Sequence, residues 1–142
     1  MQELKERIVK EGKVLPGNII KVDGFLNHRI DTELMTHIAE EFGKHFNMDE
    51  VTMILTAEAS GIALSAIVAQ HFHKPMIFAK KAKSDNIEGG LYQSDIFSYT
   101  YKKKVTLLVS KEWLSADDKV LIIDDFMANG EAMRGLCDIV TA

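Results

Sequence analysis

The stretch Val120-Leu-Ile-Ile-Asp-Asp-Phe-Met-Ala-Asn-Gly-Glu-Ala132 decides the fold, because it joins an apolar run to a polar loop and then to a helix. Its first four residues are apolar in succession, which is typical of a strand buried on both faces of a parallel sheet. Asp124 and Asp125 follow where this strand ends, and burying carboxylates is costly unless they have partners or a task. The pattern predicts a ligand site at the carboxyl end of the strand.

The loop after the acidic pair consists mostly of small residues and leads directly into a helix that is expected to begin near Gly130. Backbone N–H groups at such a turn, together with the helix dipole, bind a phosphate group without a cationic side chain. An acidic pair before a loop is also common as a simple turn or helix cap. The strand, the acids and the loop in one run favour a sugar-phosphate site over that simpler interpretation.

Upstream of this stretch, the sequence predicts a βαβ unit. Val51 to Thr56 is a short apolar run, the loop Glu58 to Gly61 follows, and a helical stretch extends to Phe72 before a second strand at Pro75 to Phe78. Such units wind right-handed and place ligands at the carboxyl ends of their strands. With a further strand expected at Lys103 to Val109, the fold class is α/β with a mainly parallel, doubly wound sheet.

The N-terminal region predicts two helices around an irregular connection. The first helix is expected from Gln2 to Glu11, and a short strand is expected around Ile19 to Val22. Asp31 is a good N-cap for the second helix, whose apolar side chains recur on one face and are expected to cover the sheet. These side chains are Leu34, Met35, Ile38, Phe42 and Phe46.

Composition limits the classes of function. A chain of 142 residues with 46% apolar residues is expected to form one domain, residues 1–142. The net charge of −4 argues against nucleic acid as a partner. Cys137 is the single cysteine and no apolar run approaches the length of a membrane span, so we expect a cytoplasmic protein. The last helix still continues at Ala142, and we expect a C-terminal strand and tail of the domain beyond it.

The decisive stretch resembles the PRPP-binding motif of the type I phosphoribosyltransferases, in which four apolar residues and two acids precede a Thr-Gly-Gly-Thr-like loop. This chain has Ala-Asn-Gly-Glu-Ala in the loop instead. The segments Val22 to Asp31, Glu58 to Ile62 and Phe78 to Lys81 are similar to family segments in the same order. The resemblance covers essentially the whole chain and implies an enzyme that joins a purine base to phosphoribose.

The resemblance also implies roles for particular residues. Asp124 and Asp125 would face the ribose hydroxyls as the catalytic pair, while Ile20 and Asn27 would contact the base. Lys80 stands where relatives often have Arg, which keeps the charge but loses the bidentate geometry of a guanidinium. The other residues expected to bind PRPP are those against the pyrophosphate, Ala57, Glu58, Ala59, Ser60 and Gly61, and those around the 5′-phosphate, Ala128, Asn129, Gly130, Glu131 and Ala132.

The family further implies a lid, a cofactor and partners. The polar segment Lys80 to Tyr99 would be a mobile lid that excludes water from the activated ribose. Mg²⁺ would arrive with PRPP, without dedicated protein ligands. The substrates would be PRPP and a purine, xanthine before guanine or hypoxanthine, in a homodimer without nucleic acid or membrane partners.

Two other classes of protein are alternatives for this sequence. Some chains of this fold bind PRPP or nucleotides as non-catalytic regulators, but they usually carry an added nucleic-acid-binding segment. A receiver domain also uses an acidic pair near Mg²⁺ on a parallel sheet. In that class the acids follow the first strand, whereas here the pair comes late in the chain and leads into a phosphate loop.

Overall fold

The computed structural model describes residues 1–17, 19–81, 90–98 and 103–142, apart from the side chain of residue 98. The elements are α1 (Gln2–Glu11), β1 (Lys13–Leu15), β2 (Ile19–Lys21), a π-helical turn (Asp23–Asn27), α2 (Thr32–His45), β3 (Met53–Ala57), α3 (Gly61–His71), β4 (Met76–Ala79), β5 (Leu91–Ser98), β6 (Lys103–Ser110), β7 (Val120–Ile122) and α4 (Glu131–Thr141).

A parallel sheet in the order β4-β3-β7 forms the centre of the fold. Leu55 of β3 lies between Ile77 of β4 and Ile122 of β7 in the register. Four of the five β3 residues are buried, as expected for the middle strand of a sheet that is covered on both faces. The predicted α/β class and the predicted parallel strands are therefore confirmed.

Helices cover both faces of this sheet. Successive residues of β3 point to opposite faces, so that Ile54 joins a core formed mainly by α2 and α3, whereas Leu55 joins a core that includes Leu136 and Ile139 of α4. All four side chains are almost completely inaccessible to solvent. Burial of such side chains is the main stabilising contribution to folding.

An antiparallel hairpin, β5 and β6, lies beyond the sheet and packs on α4. Lys80 pairs its backbone with Leu108 of β6, which joins the end of β4 to this hairpin. A Cβ at Gly135 would collide with Ile96, so a glycine lets α4 approach β5 closely. Strand β5 was not predicted, because the sequence analysis treated Lys80 to Tyr99 as one irregular segment. The parts of the predicted lid at 82–89 and at residue 99 lie outside the described residues.

The N-terminal region follows the prediction with one addition. Helix α1 has the expected bounds, and Asp31 caps α2 by accepting a hydrogen bond from the Leu34 N–H at 3.2 Å. Arg7 donates to the other Asp31 oxygen at 2.7 Å, which fixes α1 to the start of α2. The addition is β1, which pairs with β2 in a hairpin whose six residues are all exposed.

The described part of the chain has no helix that is both long enough and apolar enough to cross a membrane. Cys137 lies on the exposed side of α4 and is not paired. Its neighbour Leu136, on the other side of the helix, is fully buried.

Candidate active site

The acidic pair lies directly after β7, at the carboxyl end of the parallel sheet. The N–H of Ile123 donates to the Leu55 carbonyl at 2.9 Å, so the chain stays aligned with β3 up to the first acid. Asp124 and Asp125 are both half-buried, and the Asp125 N–H donates to Asp124 Oδ1 at 3.0 Å. The sheet therefore presents two neighbouring carboxylates at the edge where α/β folds bind ligands.

The pKa of Asp124 is raised to about 7, chiefly because burial disfavours its charged form. A hydrogen bond with Asp125 and the negative charge of that neighbour raise the pKa further. The Asp125 backbone N–H and the positive charge of Lys81 lower it, but by less. Near neutral pH this carboxyl group therefore gains or loses a proton readily, which makes it sensitive to a positive charge placed beside it.

The start of α3 packs directly on Asp124. A Cβ at Gly61 would collide with Thr56 Oγ1 and would lie 2.7 Å from Asp124 Oδ1, so a larger residue at this position would displace the acid. Thr56 is fully buried, and its hydroxyl has no hydrogen-bond partner within the described ranges. Gly61 is thus required for the close approach between α3 and the acidic pair.

The loop between β3 and α3 contacts Asp125 and the segment after β4. Ser60 Oγ donates to Asp125 Oδ1 at 2.8 Å, and Glu58 Oε1 accepts the Lys81 N–H at 2.6 Å. The peptide bond between Glu58 and Ala59 is cis. The second oxygen of Asp125, Oδ2, is buried and has no partner among the residues that the structure describes. The loop thus fixes one oxygen of Asp125 and leaves the other available to a ligand.

The loop before α4 has the backbone expected of a phosphate-binding turn. Gly130 has a φ of +76°, a left-handed conformation that favours glycine, and its carbonyl accepts the Arg134 N–H at 2.8 Å to begin the helix. Phe126 and Met127 are exposed, as are Ala128 and Asn129. The N–H groups of the first helical turn have no partner within the helix itself, so they are suited to an anion.

The two residues expected at the base belong to the N-terminal segment before α2. Ile20 is on the exposed β1–β2 hairpin, and Asn27 ends the π-helical turn with its side chain half-buried. The contacts of the acidic pair within the described residues come from Ser60 and from Gly61 at the start of α3. Lys80 follows β4 and is next to Lys81 in the chain. The structure therefore brings the acids and the loop before α3 together, and the role of Ile20 and Asn27 at the base stays a prediction.

Two residues that the sequence analysis did not select belong to this site. Thr56 has a buried hydroxyl under Gly61, and Arg134 contacts the Glu131 carboxylate at 3.1 Å. Arg134 follows Glu131 by three residues on a helix, a spacing at which opposite charges meet, so the sequence contains a signal for that pair. Nothing in the local sequence marks Thr56, because its importance depends on how closely α3 approaches β3.

The raised pKa of Asp124 has a consequence for stability. The folded protein binds this proton more tightly than the unfolded chain, whose aspartates titrate near 3.8, so this group lowers stability as pH rises from about 4 to about 7. We expect the stability of Asp124→Asn relative to the unmodified protein to increase as pH rises from about 4 to about 7 and to stay constant above that range. Urea unfolding of both proteins at each pH measures this difference, and a difference independent of pH would contradict the assignment.

Comparisons with known proteins agree with this geometry. The phosphoribosyl transferase domain family matches residues 25–142. The xanthine phosphoribosyltransferase of Lachnoclostridium phytofermentans is 54% identical over 140 residues, which cover 99% of this chain and 72% of the relative. That of Bifidobacterium animalis subsp. lactis is 49% identical over 140 residues, with 98% and 72% covered.

Solved structures show the same fold at low identity. The APRTase from Giardia lamblia, complexed with 9-deazaadenine, has a TM-score of 0.77 and 21% identity, covering 94% of this chain and 74% of that one. The adenine phosphoribosyltransferase from Saccharomyces cerevisiae has a TM-score of 0.77 and 15% identity, with 99% and 82% covered. At these identities the likeness establishes the arrangement of helices and strands, and it says nothing about the base.

Proposed function

The chain belongs to the phosphoribosyltransferase family, and from that premise we propose that it transfers the 5-phosphoribosyl group of PRPP to xanthine in purine salvage. The products are xanthosine 5′-monophosphate and pyrophosphate. The observation that carries the proposal is the acidic pair at the end of β7, which Ser60 of the loop before α3 contacts and which the loop before α4 follows directly in the chain. In this proposal the two phosphate groups of PRPP bind these loops, and the ribose lies between them.

Each loop has a distinct task in this proposal. The loop 128–132 holds the 5′-phosphate through backbone N–H groups, and the loop 57–61 lies against the pyrophosphate together with Lys80. Asp124 and Asp125 face the ribose hydroxyls. The hydrogen bond from Ser60 to Asp125 supports this arrangement, because it ties the pyrophosphate loop to the ribose site.

The reaction requires electrostatic stabilisation more than covalent help. When the bond between ribose C1 and the pyrophosphate oxygen breaks, positive charge develops on the sugar and negative charge on the leaving group. The two carboxylates stabilise the sugar, and Lys80 stabilises the pyrophosphate. A raised pKa suits Asp124 to this task, because its carboxylate form becomes more favourable as positive charge develops on the sugar beside it.

The site fits a magnesium ion that arrives with the substrate. Asp125 Oδ2 has no hydrogen-bond partner among the described residues, and no group of three His, Cys, Asp or Glu side chains suited to a metal occurs among them. Mg²⁺ retains much of its water and is usually bound through substrate phosphates with few carboxylates. When bound, the ion neutralises the departing pyrophosphate. We assign it no dedicated protein ligands.

The base is proposed to lie between the acidic pair and the N-terminal segment. Ile20 can lie against the ring face, and the Asn27 amide can both donate to and accept from neighbouring polar atoms of an oxidised purine. Xanthine is favoured over guanine and hypoxanthine because the two bacterial relatives described above are xanthine phosphoribosyltransferases. A phosphoribosyltransferase for guanine or hypoxanthine is the second candidate, and a non-catalytic PRPP-binding regulator is the third.

The setting of the activity is also a proposal. We propose that residues 1–142 act within one phosphoribosyltransferase domain of a cytoplasmic homodimer. The net charge of −4 supports small-molecule substrates and argues against nucleic acid or membrane partners. The single exposed cysteine is compatible with a reducing compartment.

We expect PRPP with Mg²⁺ to raise the melting temperature of the protein. A ligand present at about 100 times its dissociation constant stabilises the folded state by about 2.7 kcal/mol. Thermal unfolding followed by circular dichroism, with millimolar Mg²⁺ alone and PRPP alone as controls, measures this effect. No shift in a chain with the expected helix content would count against the phosphoribosyltransferase site itself.

A further inference from the structure

The loop proposed to bind the 5′-phosphate contains an acidic residue, Glu131, at the first position of α4. A carboxylate and a phosphate at one helix terminus compete for the same dipole and repel each other. The pKa of Glu131 is lowered, chiefly by its hydrogen bond with Arg134, so the side chain is charged near neutral pH. A phosphate can therefore bind this loop well only if the Glu131 carboxylate is held away from it or its charge is offset.

The structure shows where the carboxylate goes. Glu131 Oε2 accepts the backbone N–H of Phe97 in β5 at 3.2 Å, and it accepts Arg134 Nη2 at 3.1 Å. The side chain thus reaches from the start of α4 to the neighbouring strand. Its negative charge lies beside a guanidinium and a strand N–H group.

Arg134 is held in place by partners on both sides. Its Nη1 donates to Asp138 Oδ2 at 2.7 Å, one turn along α4, and its Nη2 also donates to the Asp95 carbonyl of β5 at 2.9 Å. Asp138 Oδ2 accepts the Ser94 hydroxyl at 2.9 Å as well. The guanidinium therefore joins the first two turns of α4 to β5, with its fork geometry matched to several acceptors.

We propose that Arg134 is a positioning residue for the phosphate loop, which holds the Glu131 carboxylate against β5 and offsets its charge so that the 5′-phosphate of PRPP can bind the loop backbone. This inference rests on the proposed function of that loop. Arg134 acts through Glu131 and does not itself contact the phosphate. This role of Arg134 also explains how the loop can contain an acidic residue, since an unpaired carboxylate there would repel an anionic ligand.

Loss of the ion pair between Arg134 and Glu131 should weaken phosphate binding more than it lowers the stability of the fold. Arg134 is 49% exposed, and exposed ion pairs contribute little to stability. A freed Glu131 carboxylate, by contrast, acts directly on an anion bound at the same helix terminus. The effect should also weaken as salt is added, because exposed charges are screened.

The test is a double-mutant cycle on Mg·PRPP affinity, measured by isothermal titration calorimetry. We expect Arg134→Gln to weaken binding about fivefold in the unmodified protein, and less than about twofold when Glu131→Gln is already present. Lys119→Gln is the matched control, because it breaks another exposed ion pair, with Glu50 at 3.3 Å, and removes the same charge. This control should bind as the unmodified protein does.

The outcomes separate this inference from the proposed function. If Arg134→Gln weakens Mg·PRPP binding equally in both backgrounds, Arg134 binds the phosphate itself or only holds β5 in place. If it does not weaken binding, the ion pair between Arg134 and Glu131 has no role in binding. Either result overturns the inference and leaves PRPP binding intact. Failure of the folded, unmodified protein to bind Mg·PRPP would overturn the proposed function and this inference with it. If Arg134→Gln does not fold, the Mg·PRPP affinity of Arg134→Lys, which keeps the charge without the fork, is measured with and without Glu131→Gln. The inference again requires a smaller loss of affinity when Glu131→Gln is present.

Discussion

Asp124→Asn and Asp125→Asn should each lower the turnover number with PRPP and xanthine by about 100-fold or more. The carboxylates lie at the end of β7, and in the proposed reaction positive charge develops on the ribose beside them as pyrophosphate leaves. An amide of the same shape cannot supply the negative charge. Removing a preorganised electrostatic partner of the transition state commonly costs two to three orders of magnitude in rate, roughly the effect expected here.

The same variants should fold at least as well as the unmodified protein. A buried carboxylate loses hydration, so replacing Asp124 by a neutral amide removes that cost. Asp117→Asn is a matched control, because Asp117 and Asp118 form a second acidic pair at the opposite end of β7, where Asp118 accepts hydrogen bonds from Ser115 and Thr52. Steady-state kinetics and thermal unfolding measure both effects. Wild-type turnover in both active-site variants would show that the pair is merely structural.

Adenine should be a very poor substrate, with kcat/KM about three or more orders of magnitude below that for xanthine. Adenine presents an exocyclic amine where xanthine has an acceptor, so a site built for xanthine leaves a buried polar group unpaired. Guanine and hypoxanthine should be used weakly. This prediction is independent of the fold, which the chain shares with solved adenine phosphoribosyltransferases at 21% identity or less in the two compared above.

The proposed role of Asn27 can be tested within the same comparison. Asn27→Ala should narrow the gap in kcat/KM between xanthine and hypoxanthine, because these bases differ in the oxygen at the 2-position that the amide is proposed to contact. Asn47→Ala is a suitable control, since Asn47 pairs with Glu50 in an exposed turn far along the chain from the base segment. An unchanged gap would remove Asn27 from the base site, and equal or better use of adenine would overturn the xanthine assignment.

The sequence predicted the central part of the fold because that part depends on local patterns. The apolar runs of β3 and β7 and the acids after β7 are each contained in a few consecutive residues. Strand β5 was missed for a physical reason: Ser94 is a polar residue at a buried position, where its hydroxyl is satisfied by Asp138 of α4. A strand with a polar residue facing inward does not show the alternation on which prediction relies.

The residues of the candidate site could be selected from the sequence, but the contacts between them could not. Both loops and both acids were selected from the sequence, and the structure brings them together. The hydrogen bond between Ser60 and Asp125 joins residues 65 positions apart, and it forms because β3 and β7 pair side by side in the sheet. The direction of the Glu131 side chain likewise depends on β5, a strand that the sequence did not predict.

The most direct test of the central claim is to supply the protein with Mg²⁺, PRPP and xanthine and to identify the products by chromatography and mass spectrometry. We expect xanthosine 5′-monophosphate and pyrophosphate to form in equal amounts, and we expect omission of PRPP, or replacement of Asp125 by Asn, to reduce both together. Release of pyrophosphate without the nucleotide, or no product from a folded protein that Mg·PRPP stabilises, would contradict the claim that this site catalyses transfer to xanthine.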